Sequence, residues 1–313
     1  MQIIWNINTL TTAGASIVSL GTFDGVHRGH QAILQELQLR AQQTGACATM
    51  VTFEPHPQLV LQPMDRKTVG ILTTIEEKIK ILNDLGLDRL VVAHFSPAFA
   101  EMNPHIFVEK ILLRKLQMRQ IIIGHDHAFG INRSGNLELL QKLAQINGFT
   151  VDSLSPLQLN GKIISSTLIR EYLSGGDIDK ANKLLGRPYS ISGMVVHGHG
   201  TGKSLGYPTI NLRPYSQYKL IPYSGIYASK TYIAGKPYKS VTYIGTRPTY
   251  GHTQRVIESY LLDFKNEVYG QEVDIEFIAY IRGDEKFASP EDLVKQISKD
   301  IYKSMELLEQ QPS

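Results

Sequence analysis

The sequence is poor in the features that mark secreted, membrane and nucleic-acid-binding proteins. Cys47 is the single cysteine among 313 residues, which excludes an internal disulfide and favours a reducing compartment. No apolar run approaches membrane-spanning length, and the first residues lack a basic segment followed by an apolar core, so we expect a cytoplasmic protein without a membrane partner. The net charge is only +3 and no basic run is interleaved with aromatic residues, so we expect no nucleic-acid partner.

The first half of the chain alternates between two patterns. Up to about residue 153, short apolar runs typical of buried parallel strands are separated by stretches with apolar residues at helical spacing. The predicted strands are Ile17–Leu20, Ala46–Phe53, Arg89–Ala93 and Gln120–Gly124, and the predicted helices are Thr74–Leu85, Pro104–Leu116 and Asn136–Ile146. This alternation predicts an α/β fold with a doubly wound parallel sheet, whose ligands bind beyond the C-terminal strand ends.

The second half of the chain changes character near Gly186. From about Ile191 to Ile281, β-branched and aromatic runs are separated by turn residues and show no helical period. This pattern predicts an antiparallel β-barrel, to which Pro290–Leu308 adds an amphipathic C-terminal helix. We therefore expect two domains, residues 1–185 and 186–313, in a chain that is long enough for two cores.

The segment Gly21–His30 follows the first predicted strand and carries Gly-x-Phe-Asp-Gly, with Phe23 and Asp24, ahead of His-x-Gly-His. His27 and His30 at the start of a helix share one face, beside free backbone N–H groups and the positive end of the helix dipole. This arrangement suits a polyphosphate and is the signature of nucleotidyltransferases that attack the α-phosphate of a nucleoside triphosphate. Two ordinary histidines at a helix start are the alternative, but the glycine-rich lead-in favours the functional interpretation.

Further polar side chains are predicted to reach the same site. Arg170, near another helix start, can grip phosphate oxygens bidentately. The hydroxyl residues that precede it, which add donors or serve only as a helix cap, are Ser165, Ser166 and Thr167. His56 follows the second predicted strand, and Asp126 follows the fourth, where its carboxylate can bind hydroxyls or a metal-bound water. Asn132 is a weaker candidate in the same loop as Asp126.

A second glycine-rich loop, Gly198–Ser204, looks like a P-loop but fails the spacing. Counting back from Gly202, the position that needs the first glycine holds another residue. Gly206 and Pro208 also oppose the helix that should follow a P-loop. What remains is a flexible loop that carries Lys203 and leads into an extended segment.

That extended segment contains two oxygen-bearing side chains at period two. Thr209 and Asn211 point the same way on a strand, and a hydroxyl beside an amide oxygen suits Mg²⁺, although two solvated polar residues are the alternative. Glu258 stands in a β-favouring run further on. Its carboxylate belongs either to a solvated face or to the base that takes a proton from a primary alcohol.

Taken together, these motifs resemble one family along nearly the whole chain. The matching strings are Gly-Thr-Phe-Asp-Gly-Val-His-Arg-Gly-His, Pro-His-Pro, Gly-His-Asp-His-Ala-Phe-Gly, Ser-Ser-Thr-Leu-Ile-Arg, Leu-Leu-Gly-Arg-Pro-Tyr, Leu-Gly-Tyr-Pro-Thr-Ile-Asn, Ile-Gly-Thr-Arg-Pro-Thr and Asp-Glu-Lys-Phe. The chain closely resembles the bacterial bifunctional riboflavin kinases/FMN adenylyltransferases, also called FAD synthetases. The string Leu-Gly-Tyr-Pro-Thr-Ile-Asn is the most specific, because it is typical of riboflavin kinases.

The resemblance implies two reactions in two domains. Riboflavin and ATP give FMN and ADP in the C-terminal barrel, and FMN and ATP then give FAD and pyrophosphate in the N-terminal nucleotidyltransferase domain. It also implies Mg²⁺ as cofactor at Thr209 and Asn211, and Glu258 as catalytic base.

The resemblance also implies the residues of both substrate sites. In the adenylyltransferase these are Gly21, Phe23, Asp24, His27, His30, Ser165, Ser166, Thr167 and Arg170 for ATP, with His56, Asp126 and Asn132 for the flavin or in support. In the kinase, ATP and flavin are bound by Gly198, Gly202, Lys203, Gly206, Pro208, Thr209, Asn211 and Arg247. Two departures stand out: His127 replaces a frequent Phe, and Lys203 replaces a frequent Arg, which keeps the charge and loses the bidentate fork.

Two other readings of the sequence stay open at this point. One is a different nucleotidyltransferase, acting on nicotinate mononucleotide or phosphopantetheine, with an accessory barrel. The other is a flavin-binding regulatory module without catalysis. The riboflavin kinase string and Glu258 argue against the first, and the intact histidine pair argues against the second. A monomer or a weak homo-oligomer is expected.

Overall fold

The computed structural model describes residues 1–7, 14–61, 70–125, 128–131, 134–198, 202, 205–249 and 252–310, with the backbone alone at 247–249 and 252–254. The described chain divides into two compact units, Met1–Ser165 and Ser166–Ser313. No helix in these ranges is both long enough and apolar enough to span a membrane.

The first unit is built on a parallel sheet. Its strands are β1 (Gln2–Ile4), β2 (Ser16–Leu20), β3 (Cys47–Glu54), β4 (Arg89–His94), β5 (Met118–Gly124) and β6 (Thr150–Leu154). They lie in the order β1-β4-β3-β2-β5-β6, and every neighbouring pair is parallel. The prediction of a doubly wound parallel sheet is therefore confirmed, and β1 and β6 extend it beyond the predicted strands.

Helices cover both faces of this sheet. They are α1 (Arg28–Thr44), α2 (Pro57–Leu61), α3 (Ile75–Asp84), α4 (Pro97–Ala100), α5 (Pro104–Ile106) and α6 (Leu137–Asn147), with a π-helical segment at Phe107–Leu113 and a small hairpin of β7 (Gln158–Leu159) and β8 (Lys162–Ile163). Alternate strand residues belong to separate apolar clusters: Met50 packs with α1 and α3, whereas Val51 packs with the π-helical segment and α6. Burial on both faces explains why the strands are continuously apolar.

The strand order creates a crevice at the C-terminal edge of the sheet. From β2 the chain proceeds to β3 and β4 on one side, and later to β5 and β6 on the other. Ligands of open α/β sheets bind where the strand order reverses in this way. The loop that begins at Gly21 leaves β2 at this edge, and His56 follows the end of β3.

The second unit is a closed antiparallel barrel with helices outside it. Two helices, α7 (Ser166–Ser174) and α8 (Ile178–Leu185), precede β9 (Tyr189–Val196), β10 (Thr209–Pro214), β11 (Gly225–Ile233), β12 (Lys236–Thr249), β13 (His252–Leu261), β14 (Glu272–Arg282) and the C-terminal helix Pro290–Glu309. The barrel order is β10-β13-β12-β11-β14-β9, and β9 also pairs with β10. The predicted barrel and C-terminal helix are confirmed.

The helices of the second unit are attached by specific bonds. The amide of Asn182 in α8 donates to the Phe277 carbonyl at 2.9 Å and accepts from the Tyr189 N–H at 2.7 Å. The C-terminal helix is held by a salt bridge of 2.7 Å between Arg282 and the buried Asp300. The helices α7 and α8 thus belong to the same compact unit as the barrel. The boundary near Gly186 between the two functional domains stays a prediction.

Candidate active sites

The two histidines of His-x-Gly-His lie side by side at the start of α1. His27 is the N-cap residue, and its Nδ1 accepts a hydrogen bond of 3.4 Å from the His30 N–H. The rings stack with centroids 3.6 Å apart and an angle of 17° between their planes. The Phe23 ring meets the His30 ring edge-on at 5.4 Å. The structure therefore brings both imidazoles to the positive end of one helix.

Close packing explains the glycine between the histidines. A Cβ added at Gly29 would lie 3.2 Å from the ring of His27, so a side chain there would push that ring away. Phe23 and Val26 have the positive φ angles 46° and 41°, which few residues other than glycine adopt. The loop before α1 is thus a tight structure with little freedom to rearrange.

Asp24 fixes this loop to the start of α3. Asp24 is 1% exposed, and its carboxylate accepts hydrogen bonds of 2.9 Å from the Leu72 N–H and 3.0 Å from the Thr73 N–H. The Thr73 hydroxyl in turn accepts from the Gly25 N–H at 3.0 Å. Asp24 therefore holds the loop in the described structure, and its predicted contact with ATP stays a prediction.

The other predicted residues of this site fall in different places. His56 is buried at the end of β3, where its Nδ1 accepts from the Gln58 N–H at 3.2 Å. Ser165 ends the first unit, whereas Ser166, Thr167 and Arg170 lie on α7 in the second unit. Asp126, His127 and Asn132 lie outside the described residues. The joining of Arg170 with the histidine pair stays a prediction.

Sequence reasoning missed a buried lysine beneath the histidine loop. Lys78 in α3 is 3% exposed, and its Nζ donates to the Thr22 carbonyl at 2.6 Å and to the Thr52 hydroxyl at 3.1 Å. Burial lowers the pKa of Lys78, and the Asp24 and Glu54 carboxylates oppose that shift. Burial also raises the pKa of Glu54, against the effect of Lys78. Lys78 lies three residues after Ile75 and four before Leu82, so helical spacing places it on the buried face of α3, and this is the signal that could have found it.

In the barrel, three predicted kinase residues meet on one face. The strand register pairs Asn211 of β10 with Glu258 of β13, and Thr209 with Tyr260. The Thr209 hydroxyl donates to Glu258 Oε2 at 3.4 Å. Because Ser259 is fully buried between them, Glu258 and Tyr260 point to the outer face of the barrel.

The glycine loop before β10 packs directly on these residues. A Cβ added at Gly198 would overlap the Asn211 amide, and one added at Gly202 would overlap the Tyr207 carbonyl and lie 3.4 Å from Thr209 Oγ1. Gly206 has a φ of 86°, so it occupies the left-handed region that favours glycine. The predicted glycines are thus required by close contact or by backbone shape.

Two predicted kinase residues lack a described side chain. Lys203 lies outside the described residues, and Arg247 belongs to β12 with only its backbone described. Pro208 is exposed immediately before β10.

Sequence reasoning also missed three tyrosines around the kinase residues. Tyr243 of β12 is the register partner of Glu258. Tyr207 meets the Tyr260 ring edge-on at 5.4 Å, and its hydroxyl lies 3.0 Å from the Ser298 hydroxyl on the C-terminal helix. Aromatic residues at alternate positions of a predicted strand indicate that they share one face of it. They do not indicate that this face belongs to the kinase site.

Comparison with known proteins matches both halves of the chain. A family model described as FAD synthetase matches residues 10–168, and one described as riboflavin kinase matches residues 185–308. A bifunctional riboflavin kinase/FMN adenylyltransferase of Listeria monocytogenes is 37% identical over 285 residues, which is 91% of this chain and 90% of that protein. The Escherichia coli K12 protein with the same description is 35% identical over 303 residues, 96% of each chain. The chain belongs to the bifunctional riboflavin kinase/FMN adenylyltransferase family.

Membership of this family confirms the resemblance stated from the motifs. Because the two family models match successive parts of the chain, the barrel is a riboflavin kinase domain rather than an accessory to another nucleotidyltransferase. A solved structure described as a macrolide-efflux protein from Streptococcus pneumoniae shares the fold, with a TM-score of 0.87 and 28% identity over 97% of this chain and 98% of that one. The family matches and the relatives together show that the chain is an enzyme with riboflavin kinase and FMN adenylyltransferase activities.

The residues that the structure describes contain no group of three or more His, Cys, Asp or Glu side chains suited to a metal ion. The oxygen atoms of Thr209, Asn211 and Glu258 form an incomplete set of ligands for a metal ion. Such a set fits a cation that takes its remaining ligands from substrate phosphates and water.

Proposed function

We propose that the chain makes FAD from riboflavin in two steps, each consuming one ATP. The observation that carries this proposal is the shared outer face of Thr209, Asn211 and Glu258, with a hydroxyl–carboxylate distance of 3.4 Å. It combines the oxygen ligands and the base that a kinase for a primary alcohol needs. We assign the adenylyltransferase to residues 1–185 and the kinase to residues 186–313, in agreement with family matches over 10–168 and 185–308.

In the kinase step, Glu258 accepts the proton of the riboflavin ribityl hydroxyl. The freed oxygen forms a bond to the γ-phosphorus of ATP as the bond to the bridging oxygen breaks, and ADP leaves. Thr209 and Asn211 would hold Mg²⁺, which neutralises phosphate charge when it is bound. Gly198, Gly202, Lys203, Gly206, Pro208 and Arg247 line the binding sites of ATP and flavin.

In the adenylyltransferase step, the protein contributes position and charge rather than a nucleophile. A phosphate oxygen of FMN attacks the α-phosphorus of ATP, and the bond to the β-phosphate oxygen breaks to release pyrophosphate. His27, His30 and Arg170 stabilise charge on the transferring phosphate and the leaving group. Gly21, Phe23, Asp24, Ser165, Ser166 and Thr167 bind ATP, and His56, Asp126 and Asn132 bind or support the flavin.

The proposed setting of this activity follows from composition. A single cysteine and a net charge of +3 support a reducing, cytoplasmic location and small anionic substrates rather than nucleic acid. We propose that the enzyme acts as a monomer or a weak homo-oligomer.

Incubation of the protein with riboflavin, ATP and Mg²⁺, followed by chromatographic separation of the flavins, tests the proposal. We expect FMN to appear first and FAD to follow, and FMN supplied directly to give FAD. Removing the metal with a chelator should stop FMN formation, because Thr209 and Asn211 are the proposed Mg²⁺ ligands of the kinase. Absence of FMN from a folded protein under these conditions would contradict the kinase assignment, and absence of FAD from supplied FMN would contradict the adenylyltransferase assignment.

A further inference from the structure

A buried cation supports the backbone that leads into His-x-Gly-His. The Thr22 carbonyl accepts two hydrogen bonds, from Lys78 Nζ at 2.6 Å and from the Thr52 hydroxyl at 3.1 Å. Lys78 Nζ also donates to the Thr52 hydroxyl at 3.1 Å. Thr52 is fully buried and Lys78 is 3% exposed. A charged amine enclosed in this way is costly unless its bonds are well made, so its presence needs a reason.

Hydrogen bonds attach the loop both to Lys78 on α3 and to the residues just before that helix. The Asp24 carboxylate binds the Leu72 and Thr73 N–H groups just before α3, whereas Lys78, one turn into α3, binds Thr22. The start of α3 is itself fixed by a reciprocal capping box between Thr74 and Glu77. The short segment between Gly21 and Gly25 is therefore tied to one rigid element from both ends.

We propose that Lys78 is a positioning residue for adenylyl transfer, holding the Thr22 carbonyl so that the loop presents its N–H groups and the His27–His30 pair to ATP. This inference rests on the proposed function of the histidine pair. Lys78 acts through the backbone, because Thr22 directly precedes Phe23. The centroid of the Phe23 ring lies 5.4 Å from that of the His30 ring. A displacement of about 1 Å at a phosphate-transfer site lowers the rate by up to roughly a hundredfold.

Two substitutions at Thr52 distinguish a positioning role of the Lys78 hydrogen bonds from a role of Thr52 in packing alone. Thr52→Val keeps the shape of the side chain and removes the hydroxyl that bridges Lys78 and Thr22. Thr52→Ser keeps the hydroxyl and loses a buried methyl group, so it should be the more damaging change if only packing mattered. The positioning role predicts the opposite order in adenylyl transfer, with Ser close to the parent and Val impaired.

The experiment measures kcat and KM for ATP in FAD formation from FMN in full-length Lys78→Met, Thr52→Val and Thr52→Ser. Riboflavin phosphorylation by the same molecules serves as an internal control, and Lys80→Met changes an exposed lysine of the same helix. We expect kcat/KM for ATP to fall about tenfold or more in Lys78→Met and Thr52→Val, because the loop loses the bonds that fix its position. Thr52→Ser and Lys80→Met should stay within about twofold of the parent.

Two results would overturn the inference. Parent-like adenylyl transfer in both Lys78→Met and Thr52→Val is one, and equal losses in Thr52→Ser and Thr52→Val is the other. If Lys78→Met does not fold, the Thr52 pair decides the matter. His30→Ala run in parallel separates the two ideas: if it retains FAD synthesis, the proposed histidine site itself fails, whatever the Lys78 variants do.

Discussion

His27 and Glu258 are held in different ways, and this difference decides what a substitution should change at each. His27 is fixed by its cap hydrogen bond to the His30 N–H and by stacking on the neighbouring ring. Glu258 is fixed by strand register opposite Asn211 and by the Thr209 hydroxyl. His27 and Glu258 lie in different compact units, so a side-chain change at one does not alter the contacts that hold the other. Single substitutions should therefore separate the two activities.

His30→Ala should abolish FAD formation while FMN formation continues. Alanine keeps the helix and the backbone N–H that His27 caps, so the change removes only the imidazole. The expected loss is on the order of 10²-fold or more, as for one preorganised charge-stabilising group. Flavin chromatography measures both products, and His105→Ala, at an exposed histidine of the same unit, is the matched control. Near-normal FAD synthesis from FMN would contradict the assignment.

Glu258→Gln should stop riboflavin phosphorylation and leave adenylylation of supplied FMN intact. Glutamine keeps the size and still accepts from the Thr209 hydroxyl, but it cannot take a proton at neutral pH. Removal of a general base costs about 10²–10⁴-fold in rate. If FMN forms at the parent rate, Glu258 is a solvated strand residue and another group is the base.

Glu54→Gln should stabilise the first unit at neutral pH. Burial raises the pKa of Glu54 above its ordinary 4.5, so its stabilising contribution is full below that value and is lost as pH rises through the folded pKa. Thermal melts should show a higher midpoint than the parent at about pH 8 and no gain at about pH 4. Glu138→Gln is the contrasting control, because Lys142 lowers the pKa of Glu138. A gain from Glu54→Gln that grows toward low pH would refute this reading.

At the scale of elements, close approach between loop and strand builds the kinase site. Gly198 ends the described part of the loop after β9 and lies against the Asn211 amide on β10, while Gly202 lies near Thr209. The side chains of Asn211 and Thr209 therefore each lie close to a glycine of the loop. A Cβ at Gly198 would overlap the Asn211 amide, and a Cβ at Gly202 would overlap the Tyr207 carbonyl just before the strand.

Gly198→Ala should impair the kinase alone. The new Cβ would overlap the Asn211 amide, so Asn211 has to move, and we expect a loss of about tenfold or more in FMN formation. Gly235→Ala is the matched control, because it has a φ of 78° and open space around its Cβ. It should cost about 1–2 kcal/mol of stability and leave the kinase rate unchanged. Equal kinase loss in both variants would show that the effect does not come from overlap with Asn211.

Elements with a strong period were predictable from sequence. The predicted strand Arg89–Ala93 matches β4 to within one residue, and Pro290–Leu308 matches the C-terminal helix equally closely. Thr74 and Asn136, predicted as first helix residues, are the N-cap residues of α3 and α6. These segments are recognisable because local pattern and tertiary packing agree.

Other elements were hidden because tertiary contacts decide them. Gln2–Ile4 is too short to show a period and becomes a strand only by pairing with β4. The predicted helix Pro104–Leu116 contains a π-helical stretch at Phe107–Leu113, which the apolar spacing does not reveal. The spacing of Lys78 from Ile75 and Leu82 places it on the buried face of α3, but only the fold shows that its amine meets Thr22 and Thr52. The glycine contacts of Gly198 and Gly202 depend on where the strand passes, and the motif alone did not specify that.

At the scale of the whole molecule, the chain contains two compact units, each with its own core and its own family match. In our account, each of the proposed domains, residues 1–185 and residues 186–313, supports a reaction that the other does not perform. FMN, the product of one step and the substrate of the other, is then the link between them. If this is so, FMN formation must continue when adenylylation is abolished, and adenylylation of supplied FMN must continue when the kinase is abolished.

Mixing His30→Ala with Glu258→Gln tests this claim most directly. With riboflavin, ATP and Mg²⁺, the first variant alone should accumulate FMN, and the second alone should leave riboflavin unchanged. The mixture should produce FAD, because FMN released by the first variant is adenylylated by the second. A mixture that yields no FAD, although Glu258→Gln converts supplied FMN and His30→Ala makes FMN, would contradict the account, as would FAD from either variant alone.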